Sequence, residues 1–176
     1  ASAEVLAEPV ARSAERIVEC LMAEGKIMAC GNGGAAASAQ HFASRLVNRF
    51  EAERPGLPAL ALNTDTSLLS SIANDYDFSR VFARQIEALG APGDLLLAIS
   101  TSGNSRNVLE AVRTAQAKEM AVIALTGRDG GQLATQLREE DVLICVPADS
   151  TARILEVHLL ILHSLCDSVD YLLLGA

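Results

Sequence analysis

Short runs of apolar residues alternate along the chain with longer segments in which apolar residues recur every three or four positions. The short runs predict five strands, at 26–30, 57–63, 94–100, 120–126 and 141–147. The longer segments predict helices at 10–24, 36–50, 78–89, 104–117, 131–138 and 151–174. Parallel strands need long crossover connections, which helices of this length provide. The pattern therefore predicts an α/β fold, a three-layer αβα sandwich with a five-stranded parallel sheet.

Length and composition indicate one domain. The chain has 176 residues, half of them apolar, and no Pro-rich, Ser-rich or singly charged stretch that would act as a linker. We expect a single domain over 1–176. No apolar run approaches the roughly 18 residues of a membrane helix, and the chain does not start with a charged-then-apolar signal segment. We therefore expect a cytoplasmic protein without membrane contact.

The net charge indicates which partners are disfavoured, and the cysteines indicate the compartment. The net charge of −8, from 14 basic and 22 acidic residues, disfavours direct nucleic-acid binding. The four cysteines lie far apart with no metal-finger spacing, which is typical of reduced thiols in a cytosolic protein.

The last predicted helix is apolar on all sides instead of along one stripe. Such a helix often packs against a second subunit, so we expect a homo-oligomer. The alternative is a central helix buried within one subunit.

Residues 100–105 form the sharpest candidate site, because they follow an apolar strand and precede a helix. Ligands of open α/β sheets bind at this edge, where helix N–H groups attract anions. The hydroxyls of Ser100, Thr101, Ser102 and Ser105 predict a phosphate site. The alternative is a Ser/Thr-rich turn and helix cap.

The first strand leads into a glycine-rich segment at 31–36 that matches the dinucleotide motif weakly. Its ribose-binding acid would have to be Asp65, which lies too far along the chain, so a compact phosphorylated ligand fits better. Asn32 in this segment and Asp75 further along are candidate sugar contacts. Asp75 has the alternative of capping the next helix.

Three histidines limit the acid–base and metal chemistry. His158 is interpreted as a core residue bonded to a carbonyl, whereas Glu156 and His163 share one helix face. His41 shares a face with Arg45, where a metal site would require a ligand that arginine cannot provide.

Several strings together resemble a single SIS (sugar isomerase) domain, of the group that contains bacterial phosphoheptose isomerase and the DnaA initiator-associating protein. They are Cys30-Gly31-Asn32-Gly33-Gly34, Ala39-Gln40-His41-Phe42, Asn48-Arg49-Phe50-Glu51, Glu53-Arg54-Pro55, Ala73-Asn74-Asp75, 100–105, Leu125-Thr126-Gly127, Asp129-Gly130-Gly131 and Ala152-Arg153-Ile154. The resemblance implies a homotetramer built around a helical bundle. It also implies that most of the group's amino-terminal helix is absent from this chain.

In the isomerase branch, the resemblance implies conversion of sedoheptulose 7-phosphate to D-glycero-D-manno-heptose 7-phosphate, often with zinc. His41 and His163 match that branch's histidines and are the candidate zinc ligands. Arg45 stands in place of a glutamate, Leu155 in place of a glutamine, and Ala35 in place of a phosphate-binding serine. A guanidinium cannot act as the base and leucine has no donor atoms.

These departures lead us to expect a non-catalytic phosphosugar-binding homotetramer, without cofactor, that helps DnaA assemble at the replication origin. The expected phosphosugar contacts are Ser100, Thr101, Ser102, Ser105, Asn32 and Asp75. The alternative is an active phosphoheptose isomerase that uses His163, Glu156 and zinc held by His41 and His163. A third interpretation is a regulatory sensor of a phosphosugar.

Overall fold

Strands and helices alternate over residues 2–175, the part of the chain that the computed structural model describes, with side chains described from residue 4. The strands are β1 Ile27–Gly31, β2 Ala59–Ala61, β3 Leu95–Ser100, β4 Ala121–Gly127 and β5 Val142–Val146. The helices are α1 Ser2–Met22, α2 Gly34–Val47, α3 Thr66–Asp75, α4 Ala83–Leu89, α5 Arg106–Ala117, α6 Gly131–Gln136 and α7 Thr151–Leu174. A short 3-10 helix, Phe78–Arg80, precedes α4.

All five strands form one parallel sheet in the order β2-β1-β3-β4-β5. Gly31 lies opposite Ile99, and Ser100 lies opposite Thr126, so these strands end at one edge of the sheet. The chain winds outward in opposite directions from β1 and β3. Such a switch point separates the loops that follow the two strands and opens a crevice between them.

Two apolar clusters cover the two faces of the sheet. Ile27 and Leu95 pack towards α1, α2 and α7, whereas their neighbours Met28 and Leu96 pack towards α4 and α5. Successive strand residues point to opposite faces, and helices cover both, which explains the continuous apolar runs. The predicted three-layer α/β sandwich is confirmed.

Helix α3 is the one α-helix that the apolar pattern did not predict. Only Ile72 is buried in it, so its apolar stripe is weak. Asp65 begins the helix by accepting a hydrogen bond from the Leu68 N–H at 2.9 Å. This cap explains Asp65 without any dinucleotide role.

Helix α1 begins well before the predicted residue 10. The predicted start lies directly after Pro9, a residue type that is best tolerated in the first turn of a helix. The helix instead spans Ser2–Met22 with Pro9 inside it, and packs against α7. A 21-residue amino-terminal helix is thus present in this chain, and its predicted shortening relative to the family stays a prediction.

Helix α7 corrects the expectation that no segment has the length and apolarity of a membrane span. Its 24 residues pass that test by length and composition alone. A long core helix passes the same test, and 39% of the apolar window of α7 is buried inside the fold. Its core-facing residues include Ile154, Leu162 and Leu165.

Candidate functional site

The crevice between the ends of β1 and β3 contains a cavity of about 190 Å³. It is lined by Asn32, Gly34, Ala35, Ile99, Ser100, Thr101, Ser105, Thr151 and Leu155. The two loops that the sequence singled out therefore meet at one place, together with the start of α7.

The loop after β3 leaves hydroxyl groups facing this cavity. Ser105 occupies the cap position of α5, yet its side chain makes no capping hydrogen bond to the helix. The Ser100 hydroxyl donates to the Ser105 hydroxyl at 3.1 Å instead. Ser102 accepts from the Asn104 N–H at 3.2 Å, which is a turn contact, and it does not line the cavity. Ser100, Thr101 and Ser105 are thus brought together, and Ser102 is not.

The backbone of this loop is held in a shape that only glycine adopts readily. Gly103 has a φ of 65° and packs against the backbone of Gly130, so a Cβ atom would clash there. The tight turn directs the amino terminus of the 12-residue helix α5 towards the cavity. Free N–H groups and the helix dipole at such a terminus favour an anion.

Asn32 is fixed by a residue that sequence reasoning missed. Its amide exchanges two hydrogen bonds with the amide of Asn107, at 2.8 and 2.9 Å. Asn107 is buried in the first turn of α5. The pair joins the two ligand loops, and a contact between residues so distant in sequence leaves no local signal.

Asp75 does not line the cavity. It is exposed at the end of α3 and accepts a hydrogen bond from the Asn74 amide at 2.9 Å. Asp77 instead shares with Asn32 and Ser105 an adjoining cavity of about 310 Å³, and it also caps the 3-10 helix. The sugar contact assigned to Asp75 stays a prediction.

Two histidines meet where α2 and α7 pack side by side. The Nε2 atoms of His41 and His163 are 2.9 Å apart, so one ring donates a hydrogen bond to the other. Phe50 packs against the His163 ring at 5.6 Å between centroids. Burial lowers the pKa of His41, and electrostatic repulsion from Arg45 and His163 lowers it further.

The histidine pair lies along the α2–α7 seam, at some distance from residues 100–105, which we call the serine loop. Two helical turns separate His41 from Gly34, a rise of about 10 Å. Neither histidine lines the cavity between the loops. Leu155 covers Gly34 so closely that a Cβ there would lie 2.7 Å from its Cδ1 atom.

Glu156 and His158 lie away from this cluster. Glu156 is exposed and forms an ion pair with Arg153 at 2.6 Å, and its predicted catalytic role stays a prediction. His158 is buried, its Nε2 lies 2.9 Å from the Thr126 carbonyl oxygen, and burial lowers its pKa. His158 is therefore the core histidine that the sequence indicated.

The residues around His41 and His163 do not fit a zinc ion. The two imidazole nitrogens form a hydrogen bond with each other, and a zinc site needs at least one further protein ligand beside them. Among the described residues, no three His, Cys, Asp or Glu side chains cluster as a metal site. Arg45 places a cation where a third ligand would be needed.

Comparisons with known proteins bear on the whole chain. A family model described as "SIS domain" matches residues 1–127. A phosphoheptose isomerase of Laribacter hongkongensis is 64% identical over 98% of this chain and 88% of the relative. A second, from Thiobacillus denitrificans, is 66% identical over 99% of this chain and 88% of the relative. The structure of the Neisseria gonorrhoeae phosphoheptose isomerase superposes with a TM-score of 0.92 at 53% identity, covering 96% of this chain and 89% of that one.

These relatives overturn the expectation of a non-catalytic DnaA-associated protein. That expectation gave Arg45 and Leu155 more weight than the rest of the chain. Proteins named phosphoheptose isomerase are 64–66% identical to this chain over 98–99% of its length. The fold, the family model and the relatives agree, and the chain belongs to the SIS domain family, within the phosphoheptose isomerase group.

Proposed function

We propose that the protein is a phosphosugar isomerase that converts sedoheptulose 7-phosphate to D-glycero-D-manno-heptose 7-phosphate. The observation that carries the proposal is the 64–66% identity to phosphoheptose isomerases over 98–99% of the chain. The hydroxyl cluster beside the start of α2 and the imidazole pair two turns further along that helix support it.

The serine loop would bind the phosphate. Hydroxyls of Ser100, Thr101 and Ser105 border the cavity, and the amino terminus of α5 points into it. Hydrogen bonds to a charged phosphate are stronger than those between neutral groups. A terminal phosphate fixed here would leave the rest of the sugar free to extend past Asn32 and Gly34.

The histidine pair would transfer the proton between the two reacting carbons. A base removes a proton from C1, the electron pair forms the C1–C2 double bond, and the C2 carbonyl oxygen takes up a proton to give an enediol. O1 then releases its proton and C2 gains one, so C1 becomes the aldehyde and no proton is consumed overall. A hydrogen bond joins the Nε2 atoms of His41 and His163 at 2.9 Å, which gives a route for a proton that is accepted and returned.

The spacing of the two clusters agrees with the position of the reacting carbons. Isomerisation takes place at C1 and C2, at the far end of the sugar from its 7-phosphate. The rise of about 10 Å from Gly34 to His41 is on the scale of an extended seven-carbon phosphate. Shorter phosphosugars would not reach both clusters at once.

Turnover of sedoheptulose 7-phosphate by the purified protein tests the proposal. Ser105→Ala should raise KM about tenfold through loss of a hydrogen bond to a charged group, with Ser70→Ala, an exposed serine on α3, as control. His163→Asn should lower kcat about 100-fold or more. Its control is Ser164→Ala, whose hydroxyl bonds only to the Leu160 carbonyl. No turnover by the unaltered protein would contradict the proposal.

We also propose a homotetrameric assembly. Helix α7 exposes large apolar side chains that a single copy leaves uncovered, namely Leu159, Leu160, Tyr171 and Leu172. Large apolar side chains exposed along one helix favour association between protein copies. A second copy of the same helix is its simplest partner, since closed symmetric assemblies are the rule among soluble oligomers.

We also propose a cytoplasmic location, because the cysteines are not joined in disulfides. Cys20, Cys30, Cys145 and Cys166 are all free thiols in the described chain. Burial raises the pKa of Cys30 and of Cys166 to about 12, so neither is poised to form a disulfide. Free buried thiols are typical of a reducing compartment.

A further inference from the structure

Arg45 has no partner for its charge among the described residues. Its side chain takes part in no hydrogen bond or ion pair, and its Nε atom is buried without an acceptor. Neighbouring arginines are paired, as Arg54 is with Asp170 and Arg49 with Glu53. A buried guanidinium N–H without an acceptor is costly, so the site calls for an anion that the chain does not provide.

The surroundings hold Arg45 in place without neutralising it. Arg54 donates to the Arg45 carbonyl oxygen at 2.9 Å and is itself bonded to Asp170 at 2.6 Å. The nearby carboxylate of Asp170 is therefore engaged by a different guanidinium. Arg54 therefore holds the last turn of α2 in place, while the guanidinium of Arg45 itself has no carboxylate partner among the described residues.

Arg45 also lies beside the histidine pair. It follows His41 by one helical turn on the same face of α2, and helical side chains lean back towards the preceding turn. Its charge is felt by both His41 and Cys166, which belong to α2 and α7 respectively. The guanidinium thus sits at the seam where proton transfer is proposed.

We propose that Arg45 is a catalytic residue that binds the oxyanion formed at the reacting carbons, so that the protein isomerises its sugar without a metal ion. The inference rests on the proposed function. Removal of the C1 proton places negative charge on the C2 oxygen, in an enediolate that is then protonated to the enediol. A guanidinium stays protonated at all relevant pH values and can donate two hydrogen bonds to such an oxygen pair. A fixed cation of this kind stabilises developing charge as a metal ion would.

The poor fit to zinc supports the same conclusion. His41 and His163 bond to each other directly, and a permanent cation next to them repels a second one. Replacing Arg45 by a carboxylate would put an acidic ligand one turn from His41. Arg45 and Leu155 both lack a metal-binding atom, and Arg45 in addition carries a charge that repels zinc.

Binding of two ligand probes tests the role of Arg45 apart from turnover. 6-Phospho-D-altronohydroxamate matches the length of sedoheptulose 7-phosphate and carries a planar hydroxamate end like an enediolate, and D-altritol 6-phosphate has a neutral end. By titration calorimetry, the unaltered protein should bind the hydroxamate about 100-fold more tightly. Arg45→Met should cut that preference below tenfold and leave the altritol phosphate affinity unchanged. Arg45→Lys should retain part of the preference.

Three results would overturn the inference. One is an unchanged hydroxamate preference in a folded Arg45→Met protein. Another is an equal loss of affinity for both probes, which would mean that Arg45 contributes to folding or to phosphate binding. The third is an Arg45→Met variant whose only change is its oligomeric state, which would identify a carboxylate of a second copy as the partner. Failure of the unaltered protein to bind either probe would instead overturn the proposed phosphosugar function.

Zinc content gives a second readout that does not depend on activity. After dialysis against zinc and removal of the excess, the unaltered protein should retain less than one tenth of an equivalent. Arg45→Glu should retain about one equivalent, and Arg45→Gln, the neutral control, should retain little. One equivalent of zinc on the unaltered protein, bound through His41 and His163, would contradict metal-free catalysis.

Discussion

Ser102 and Ser105 stand three positions apart in the same loop, yet they do different work. Ser102 accepts a backbone hydrogen bond and fixes the turn. Ser105 stands where a helix cap is expected, but its hydroxyl bonds to Ser100 and faces a cavity. Residue type alone predicted Ser100, Ser102 and Ser105 as phosphate contacts, with Thr101 as a secondary one. The direction of each side chain, set by the turn at Gly103, separates the hydroxyls that face the cavity from the one that holds the turn.

His158 links the stability of the fold to pH. Its pKa is lowered because it is buried as a neutral ring, while the unfolded chain has the ordinary value near 6.5. The unfolded state therefore binds more protons, and the stabilisation is complete above about pH 6.5 and lost as the pH falls towards the folded pKa. His158→Gln keeps an N–H donor for the Thr126 carbonyl and removes the titration.

Urea unfolding between pH 7.5 and 5 checks this linkage. The free energy of unfolding should fall less with decreasing pH in His158→Gln than in the unaltered protein. His41 also has a lowered pKa, so both proteins keep some dependence and the difference between them reports His158. Parallel pH profiles would contradict this account.

At the residue scale, sequence reasoning identified the chemical groups better than their contacts. Ser100, Ser105, Asn32, His41 and His163 were all named from motifs and spacing. The Asn32–Asn107 amide pair and the unpaired charge of Arg45 were not. Both depend on which loops and helices meet in three dimensions, and neither leaves a periodic or local signal in the chain.

At the scale of elements, continuous apolar runs located every strand to within one or two residues at most ends. A strand that is buried on both faces is apolar along most of its length, so its ends are easy to locate in the sequence. Strand β3, with six buried residues, is an example. Strand β2, at one edge of the sheet, is shorter than predicted, at three residues, and its side chains are less buried than those of β3. Helix α3 was missed since it lies on the surface and buries little.

The buried ion pair between Arg54 and Asp170 fastens the end of α2 to α7. Both side chains are almost fully buried, and Arg54 also donates to the carbonyls of Arg45 and Leu46. Removing one partner of such a pair leaves an uncompensated charge, which costs about 3 kcal/mol or more. Asp170→Asn should therefore lower the free energy of unfolding by that amount.

The matched control is Glu53→Gln, which breaks the exposed pair with Arg49. Exposed pairs of this kind contribute less than about 1 kcal/mol, because solvent screens them. Denaturant unfolding of both variants measures the contrast. Equal effects of Asp170→Asn and Glu53→Gln would show that the clamp on α2 is not a determinant of stability.

At the scale of the whole molecule, the family assignment follows from nearly the entire chain, whereas the first functional interpretation depended on two positions. Arg45 and Leu155 stand where the isomerase branch has a glutamate and a glutamine. From the sequence alone, we expected the loss of these two side chains to abolish activity. Relatives 64–66% identical carry the isomerase name. Whether a replaced side chain abolishes a reaction or supplies it differently depends on the groups around it, which motif matching does not describe.

The exposed apolar face of α7 predicts the state of assembly. Leu160→Glu places a charge on a side chain that is 65% exposed in one copy, and it should dissociate the proposed tetramer. Light scattering after gel filtration measures the molar mass of each species. The control is Leu89→Glu, which lies on α4 in the opposite layer and should leave the mass unchanged. A single-chain mass for the unaltered protein would contradict the tetramer.

Incorporation of solvent deuterium into the product tests the central claim most directly. We expect the unaltered protein, treated with a chelator, to convert sedoheptulose 7-phosphate in D2O to heptose 7-phosphate carrying deuterium at C2, as resolved by NMR. His163→Asn should lose this incorporation. Product formed without deuterium would contradict a proton that exchanges with solvent on the histidine pair, and the absence of any product would contradict the isomerase itself.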